Sequence, residues 1–268
     1  EVWAFGSWQA EANKEMAAQA VWGDGADFNM GGEGDQKIWA FRRQALKTKQ
    51  IGDLFVEEFG SGSRNTRVRP VFSYQVVSPQ YTILHGLEYL KNKFPGTAME
   101  QMVWGIAAAP HARVDSPLTA PVTAVHFLDW MDRSVTKLAT GFPRYLEEAA
   151  AYAAWYSLQF AWYEGGVGIA QTADIPVPVA FEAMRHPRIK DIYLRYAATW
   201  YAFGNDNLLC WFIGGASDWS GMNLFGTPDV FGLTWNITEQ NTYPVQALDA
   251  VLESGGFAQS AGFNPLPL

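Results

Sequence analysis

The chain has 268 residues, of which 49% are hydrophobic and 17% are charged, so it can fill the core of one large domain or two small ones. Its formal net charge of -8 disfavours nucleic acid and anionic membranes as partners, and none of its apolar runs reaches the ~18 residues of a membrane span. The single cysteine, Cys210, excludes an internal disulfide framework and a cysteine zinc site.

Along the chain, runs of β-branched and aromatic residues alternate with stretches whose apolar residues follow helical spacing. The predicted strands span 68–77, 102–110, 158–166 and 207–215. The predicted helices span 36–59, 79–94, 122–138, 143–156, 181–203 and 241–256. Pro187 is a break point in its helix, and the acidic, glycine-rich stretch 23–36 is predicted to be a solvated loop. The alternation indicates an α/β fold with parallel strands covered by helices.

Side chains of types that can take part in catalysis or ligand binding follow the predicted strands. His111 follows the second strand, Glu164 lies at the end of the third, and Asp218 and Trp219 follow the fourth. Because active sites of parallel α/β folds lie at the carboxyl edge of the strands, we expect these side chains to face one cleft. Gly165 and Gly166 would let the backbone turn sharply after Glu164 and let a ligand approach closely.

Three short segments resemble those of clan-A retaining glycoside hydrolases. "WYEGG", which contains Glu164, resembles the YEGG signature after the seventh barrel strand, where the Glu is the nucleophile. "AAAPHA" resembles the APY end of the sixth strand, with His111 where Tyr is usual. "EVWAFG", which starts at Glu1, resembles the NEVWNFG segment after the fourth strand, with Ala4 where Asn is common; in that segment the Glu is the acid/base.

The resemblance implies a (β/α)8 barrel of the TIM type, of which this sequence holds only the second half. The four predicted strands would be strands five to eight, joined by long loop insertions. Residues 1–256 would form this half and residues 257–268 a tail or linker. The N-terminal half of the barrel would be missing from the sequence, so we expect the fragment alone to be inactive.

The function implied is hydrolysis of O-glycosidic bonds in a polysaccharide or oligosaccharide by retaining double displacement. Glu164 would be the nucleophile and Glu1 the acid/base, with carboxyl groups ~5–5.5 Å apart. His111 would orient the nucleophile. Such an enzyme needs no cofactor or metal, acts on carbohydrate, and is expected to be secreted or extracellular.

Substrate contacts are predicted from the aromatic content of 15%, which is well above ordinary usage. Trp211 and Trp219, near the end of the fourth predicted strand, would give a stacking floor for a sugar ring. Gln75, near the end of the first predicted strand, is a further candidate contact. Taken singly, however, each tryptophan is more often a core residue, and His111 is as often structural as functional.

Two other classes of function stay open on the sequence. A non-catalytic carbohydrate-binding barrel would use the aromatic residues equally well, although the carboxylates at both positions argue against it. A hydrolase with His111, Asp115 and either Ser116 or Ser217 as a triad is disfavoured because the chain has no G-x-S-x-G elbow. The sequence names neither the sugar nor endo or exo action.

Overall fold

The computed structural model describes residues 2, 7–76, 78–113, 123–140, 144–168, 177–204, 233 and 241–254. These residues contain eight α-helices: α1 Trp8–Asp24, α2 Gln36–Phe59, α3 His85–Lys93, α4 Ala124–Thr140, α5 Tyr145–Trp155, α6 Val177–Met184, α7 Arg188–Gly204 and α8 Tyr243–Glu253. They also contain five short strands: β1 Val71–Ser73, β2 Gly105–Ala108, β3 Ala112–Arg113, β4 Gln159–Trp162 and β5 Val167–Gly168. None of the helices described is long and apolar enough to cross a membrane.

The chain divides into two compact units, and the first comprises Glu1–Ala109 and Tyr145–Ala161. Its centre is a parallel sheet in the order β1-β2-β4, in which Phe72 pairs with Ile106. Both side chains are fully buried. Helix α2 packs against α1, α3 and β1, so its apolar face closes the core of this unit.

The segment between α1 and α2, predicted to be a solvated loop, packs around a buried arginine instead. Arg42 of α2 donates hydrogen bonds to the carbonyls of Phe28, at 2.7 Å, and Met30, at 2.8 Å. It also pairs with Glu33 at 3.0 Å, and its hydrogen bond to that carboxylate lowers the pKa of Glu33. The acidic residues of the segment do not reveal Arg42 as their partner, because this arginine lies on the next helix, outside the segment.

The second unit comprises Pro110–Arg144 and Trp162–Leu268. In its described part, α7 packs against α4 and α8, and α4 also packs against α6 and β3. Strands β3 and β5 form a separate parallel pair, in which Ala112 lies opposite Val167. This pair is short, and its importance is that it joins the two segments that carry His111 and Glu164.

Helix predictions agree closely with the structure. The helix predicted over 36–59 is confirmed as α2, and Pro187 separates α6 from α7 as predicted. Helix α1 was missed, although the sequence carries both of its end signals. The Ser7 side chain accepts a hydrogen bond from the amide of Ala10, and Gly25 ends the helix in the left-handed conformation with φ of 68°.

The predicted fold class, a half (β/α)8 barrel, is wrong. Helices account for most of the described residues, and the only larger sheet among them has three short parallel strands. The first three predicted strands do lie side by side in the predicted order. The fourth predicted strand, 207–215, lies outside the described residues. An apolar strand pattern predicts parallel pairing, but barrel closure depends on strand number, tilt and stagger, which the pattern does not contain.

The close approach of β2 and β4 can be tested at Gly105. A Cβ atom added there would lie 2.5 Å from the carbonyl oxygen of Gln159, and this backbone atom cannot swing aside as a side chain can. We expect Gly105→Ala to lower the free energy of unfolding by about 1–3 kcal/mol, measured by urea denaturation. Gly62→Ala is the control, because a Cβ atom at Gly62 meets nothing within 4 Å. Equal effects of the two substitutions would contradict the close strand packing.

Candidate functional site

The candidate site lies where two chain segments enter the β3–β5 pair. His111 comes immediately before β3, and Glu164 comes three residues before β5. Since β3 and β5 run parallel, the two residues precede the same end of the pair. The backbone amide of Ala112 donates a hydrogen bond of 3.1 Å to the carbonyl of Gly166, which joins the two segments directly.

The side chains of His111 and Glu164 are in contact. His111 Nε2 lies 3.1 Å from Glu164 Oε1. An ionised carboxylate can only accept, so a hydrogen bond to an ionised Glu164 requires the proton on Nε2. The His111 side chain is 7% exposed and that of Glu164 is 26% exposed. The predicted contact is therefore present, and it joins a buried ring to a carboxylate that solvent can reach.

A tyrosine of α7 links the backbones of both segments. The Tyr196 hydroxyl accepts a hydrogen bond of 2.9 Å from the amide of Gly166 and donates one of 2.9 Å to the carbonyl of Pro110. Tyr196 is fully buried, and burial raises the pKa of its phenol, so the hydroxyl keeps the proton that it donates. Gly166 has φ of 130°, a conformation that favours glycine.

An aromatic layer packs beside these residues. The Trp162 ring lies 5.2 Å from that of Tyr196 and 4.6 Å from that of Trp200, measured between centroids. The Trp162 and Trp200 side chains are almost completely buried, so these two tryptophans fill the core and do not offer a face to a sugar. The indole N–H of Trp162 has no hydrogen-bond partner among the described residues.

The structure brings together only part of the predicted site. Glu1, Trp211 and Trp219 lie outside the described residues, so their proposed positions stay predictions. Gln75 follows β1 by two residues, is half-buried and belongs to the first unit; its role as a substrate contact also stays a prediction.

The sequence missed the contribution of Tyr196. Its position on the apolar face of the predicted helix 181–203 indicates burial, and a buried tyrosine hydroxyl usually has a hydrogen-bond partner. Both partners are backbone groups, which are the same in every residue, so no sequence pattern identifies them.

Among the residues that the structure describes, no three His, Cys, Asp or Glu side chains are close enough to bind one metal ion. No protein-family model matches this chain, and no curated protein or solved structure is significantly similar to it. Function is therefore inferred from the residues of this chain and their geometry.

The hydrogen bond between His111 and Glu164 should be visible by NMR. Because the ring is buried and bonded, we expect the His111 Nε2 proton to give a downfield resonance, assigned by its loss in His111→Gln. Glu164→Ala should shift or remove this resonance, because it removes the acceptor. Glu182→Ala, which alters an exposed carboxylate of α6, is the control. A resonance that is unchanged by Glu164→Ala would show that the contact is absent in solution.

Proposed function

We propose that this protein is a retaining glycoside hydrolase in which Glu164 is the nucleophile. The observation that carries the proposal is the contact between the partly exposed Glu164 carboxylate and the buried imidazole of His111, at the "WYEGG" turn. The proposal also rests on the resemblance of this segment to the nucleophile segment of clan-A enzymes. It does not depend on a barrel, since function follows from the site and not from the fold class.

In the first step, a carboxylate oxygen of Glu164 attacks the anomeric carbon of the sugar. The bond from that carbon to the leaving-group oxygen breaks, and the acid/base donates a proton to this oxygen. The product is a glycosyl ester of Glu164. In the second step, the acid/base takes a proton from water, whose oxygen attacks the anomeric carbon and releases the carboxylate. Two inversions give net retention.

His111 has a distinct task in both steps. Its Nε2–H donates to Oε1 of Glu164, so it favours the carboxylate form and fixes the plane of the carboxyl group. The same donor stabilises the carboxylate when it leaves the anomeric carbon in the second step. Tyr is usual at this position of the related segment; an imidazole N–H also offers one donor from a rigid ring.

The remaining roles are assigned by the resemblance. Glu1 is proposed as the acid/base, and Trp211, Trp219 and Gln75 as contacts to a polysaccharide or oligosaccharide. Flat aromatic rings suit the apolar faces of sugars, which supports a carbohydrate as the ligand. An extracellular location fits a polymeric substrate of this kind.

The nucleophile role is tested with Glu164→Gln in the natural-length protein that carries this sequence. The amide is nearly isosteric with the acid but cannot attack as an anion, so turnover should fall by several orders of magnitude while sugar binding is retained. Hydrolysis of polysaccharides and of a panel of nitrophenyl glycosides gives turnover, and calorimetry gives binding. Glu182→Gln is the matched control on an exposed acid of α6.

A covalent label gives an independent result in the same experiment. An activated 2-deoxy-2-fluoro glycoside should trap the glycosyl-enzyme, and mass spectrometry of the digested protein should place the label on Glu164. Normal turnover by Glu164→Gln, or a label on another residue, would disprove the assignment. Sugar binding by the unmodified protein with no turnover on any substrate would instead favour a non-catalytic carbohydrate-binding protein.

The acid/base role is tested with Glu1→Ala in the same natural-length protein. Substrates with poor leaving groups should slow most, since only these need a proton donated to the departing oxygen. An activated aryl glycoside should still form the glycosyl-enzyme, and azide should restore its breakdown by replacing the base-activated water. The measurement compares kcat for both substrate types with and without azide. Equal losses on both types, without azide rescue, would contradict this role.

A further inference from the structure

We propose that Tyr196 is a positioning residue that holds Glu164 and His111 in their mutual orientation. This proposal rests on the proposed function of Glu164, because it assigns Tyr196 a part in the same reaction. The hydroxyl of Tyr196 acts through the backbone of Pro110 and Gly166.

The two hydrogen bonds converge on a single oxygen atom. A hydroxyl has one proton to donate and lone pairs to accept with, so it can satisfy an N–H and a carbonyl at the same time. Pro110 immediately precedes His111, and Gly166 follows Glu164 by two residues. The Tyr196 oxygen therefore fixes the distance between the two backbone segments from which the imidazole and the carboxylate extend.

The Tyr196 ring holds the Glu164 segment from its other side as well. Trp162, two residues before Glu164, packs against the Tyr196 ring with centroids 5.2 Å apart. Glu164 thus lies midway between a residue that contacts the ring and a residue that bonds the hydroxyl. Because the ring is fully buried and packed, its hydroxyl cannot follow a shift of the backbone.

The burial of the two Tyr196 hydrogen bonds makes their loss costly. Pro110, Gly166 and Tyr196 are all buried, so water does not readily replace the hydroxyl if it is removed. The amide of Gly166 and the carbonyl of Pro110 must then find other partners, which requires the two segments to move. A displacement of the carboxylate on the order of 1 Å is enough to cost about 100-fold in rate.

Tyr196→Phe removes the hydroxyl and keeps the ring. We expect kcat on an activated aryl glycoside to fall about 10- to 100-fold with little change in KM, because reactive geometry is lost while sugar contacts stay. The His111 Nε2 proton resonance should also shift or broaden. Titration of active sites with the fluoroglycoside corrects kcat for any unfolded protein. The control is Tyr89→Phe, another buried tyrosine, whose hydroxyl bonds Asp27 instead of the site backbone.

The His111 Nε2 proton resonance can be measured whether or not the protein is active. It therefore tests the positioning role of Tyr196 independently of the proposed function. If the unmodified natural-length protein hydrolyses no glycoside, the proposed function fails, yet a resonance changed by Tyr196→Phe and not by Tyr89→Phe still supports positioning by Tyr196. The positioning role of Tyr196 is disproved if Tyr196→Phe leaves both the resonance and kcat unchanged. It is also disproved if Tyr196→Phe and Tyr89→Phe have equal effects.

A second variant covers the case in which Tyr196→Phe does not fold. Replacement of Tyr196 by 4-aminophenylalanine keeps a donor for the Pro110 carbonyl, but its nitrogen is a poor acceptor for the Gly166 amide. We expect the resonance to shift in this variant and kcat to lie below that of the unmodified protein. Unmodified values of both would overturn the claim that the bond to Gly166 positions Glu164.

Discussion

The hydroxyl of Tyr196 is the contact on which the candidate site depends. One buried oxygen receives the amide of Gly166 and donates to the carbonyl of Pro110, so two segments distant in sequence are held at a fixed separation. A buried phenol without partners would be costly, and so would the two backbone groups without theirs. The phenol hydroxyl, the amide and the carbonyl satisfy one another's hydrogen bonds. The side chains of His111, which follows Pro110, and Glu164, which precedes Gly166 by two residues, are positioned as a consequence.

The site combines a rigid support with an accessible carboxylate. The aromatic layer of Trp162, Tyr196 and Trp200 and the imidazole of His111 are buried, while Glu164 keeps about a quarter of its side chain exposed. This contrast suits a group that must stay ionised, oriented and reachable by a ligand.

The correction of the fold class does not remove the basis of the proposed function. The resemblance to glycoside hydrolases lies in short segments at strand ends, and two of these segments, at His111 and Glu164, are brought together in the second unit. The barrel was implied by the resemblance of these segments, whereas the alternation of strands and helices indicated only a parallel α/β fold, which many arrangements share. The barrel is wrong, and the roles that the resemblance gives to His111 and Glu164 stay predictions.

The sequence by itself determined the helix α2, the break at Pro187, the order of three parallel strands and the pairing of His111 with Glu164. These features depend on local periodicity, on proline geometry and on motifs at strand ends, all of which are written in neighbouring residues. Tertiary structure decided the rest: the three-stranded sheet that the described residues form in place of a half barrel, the packing of Arg42 by an acidic segment, and the link through Tyr196. Each of these depends on contacts between residues far apart in the chain, several of them to backbone groups that carry no sequence signature.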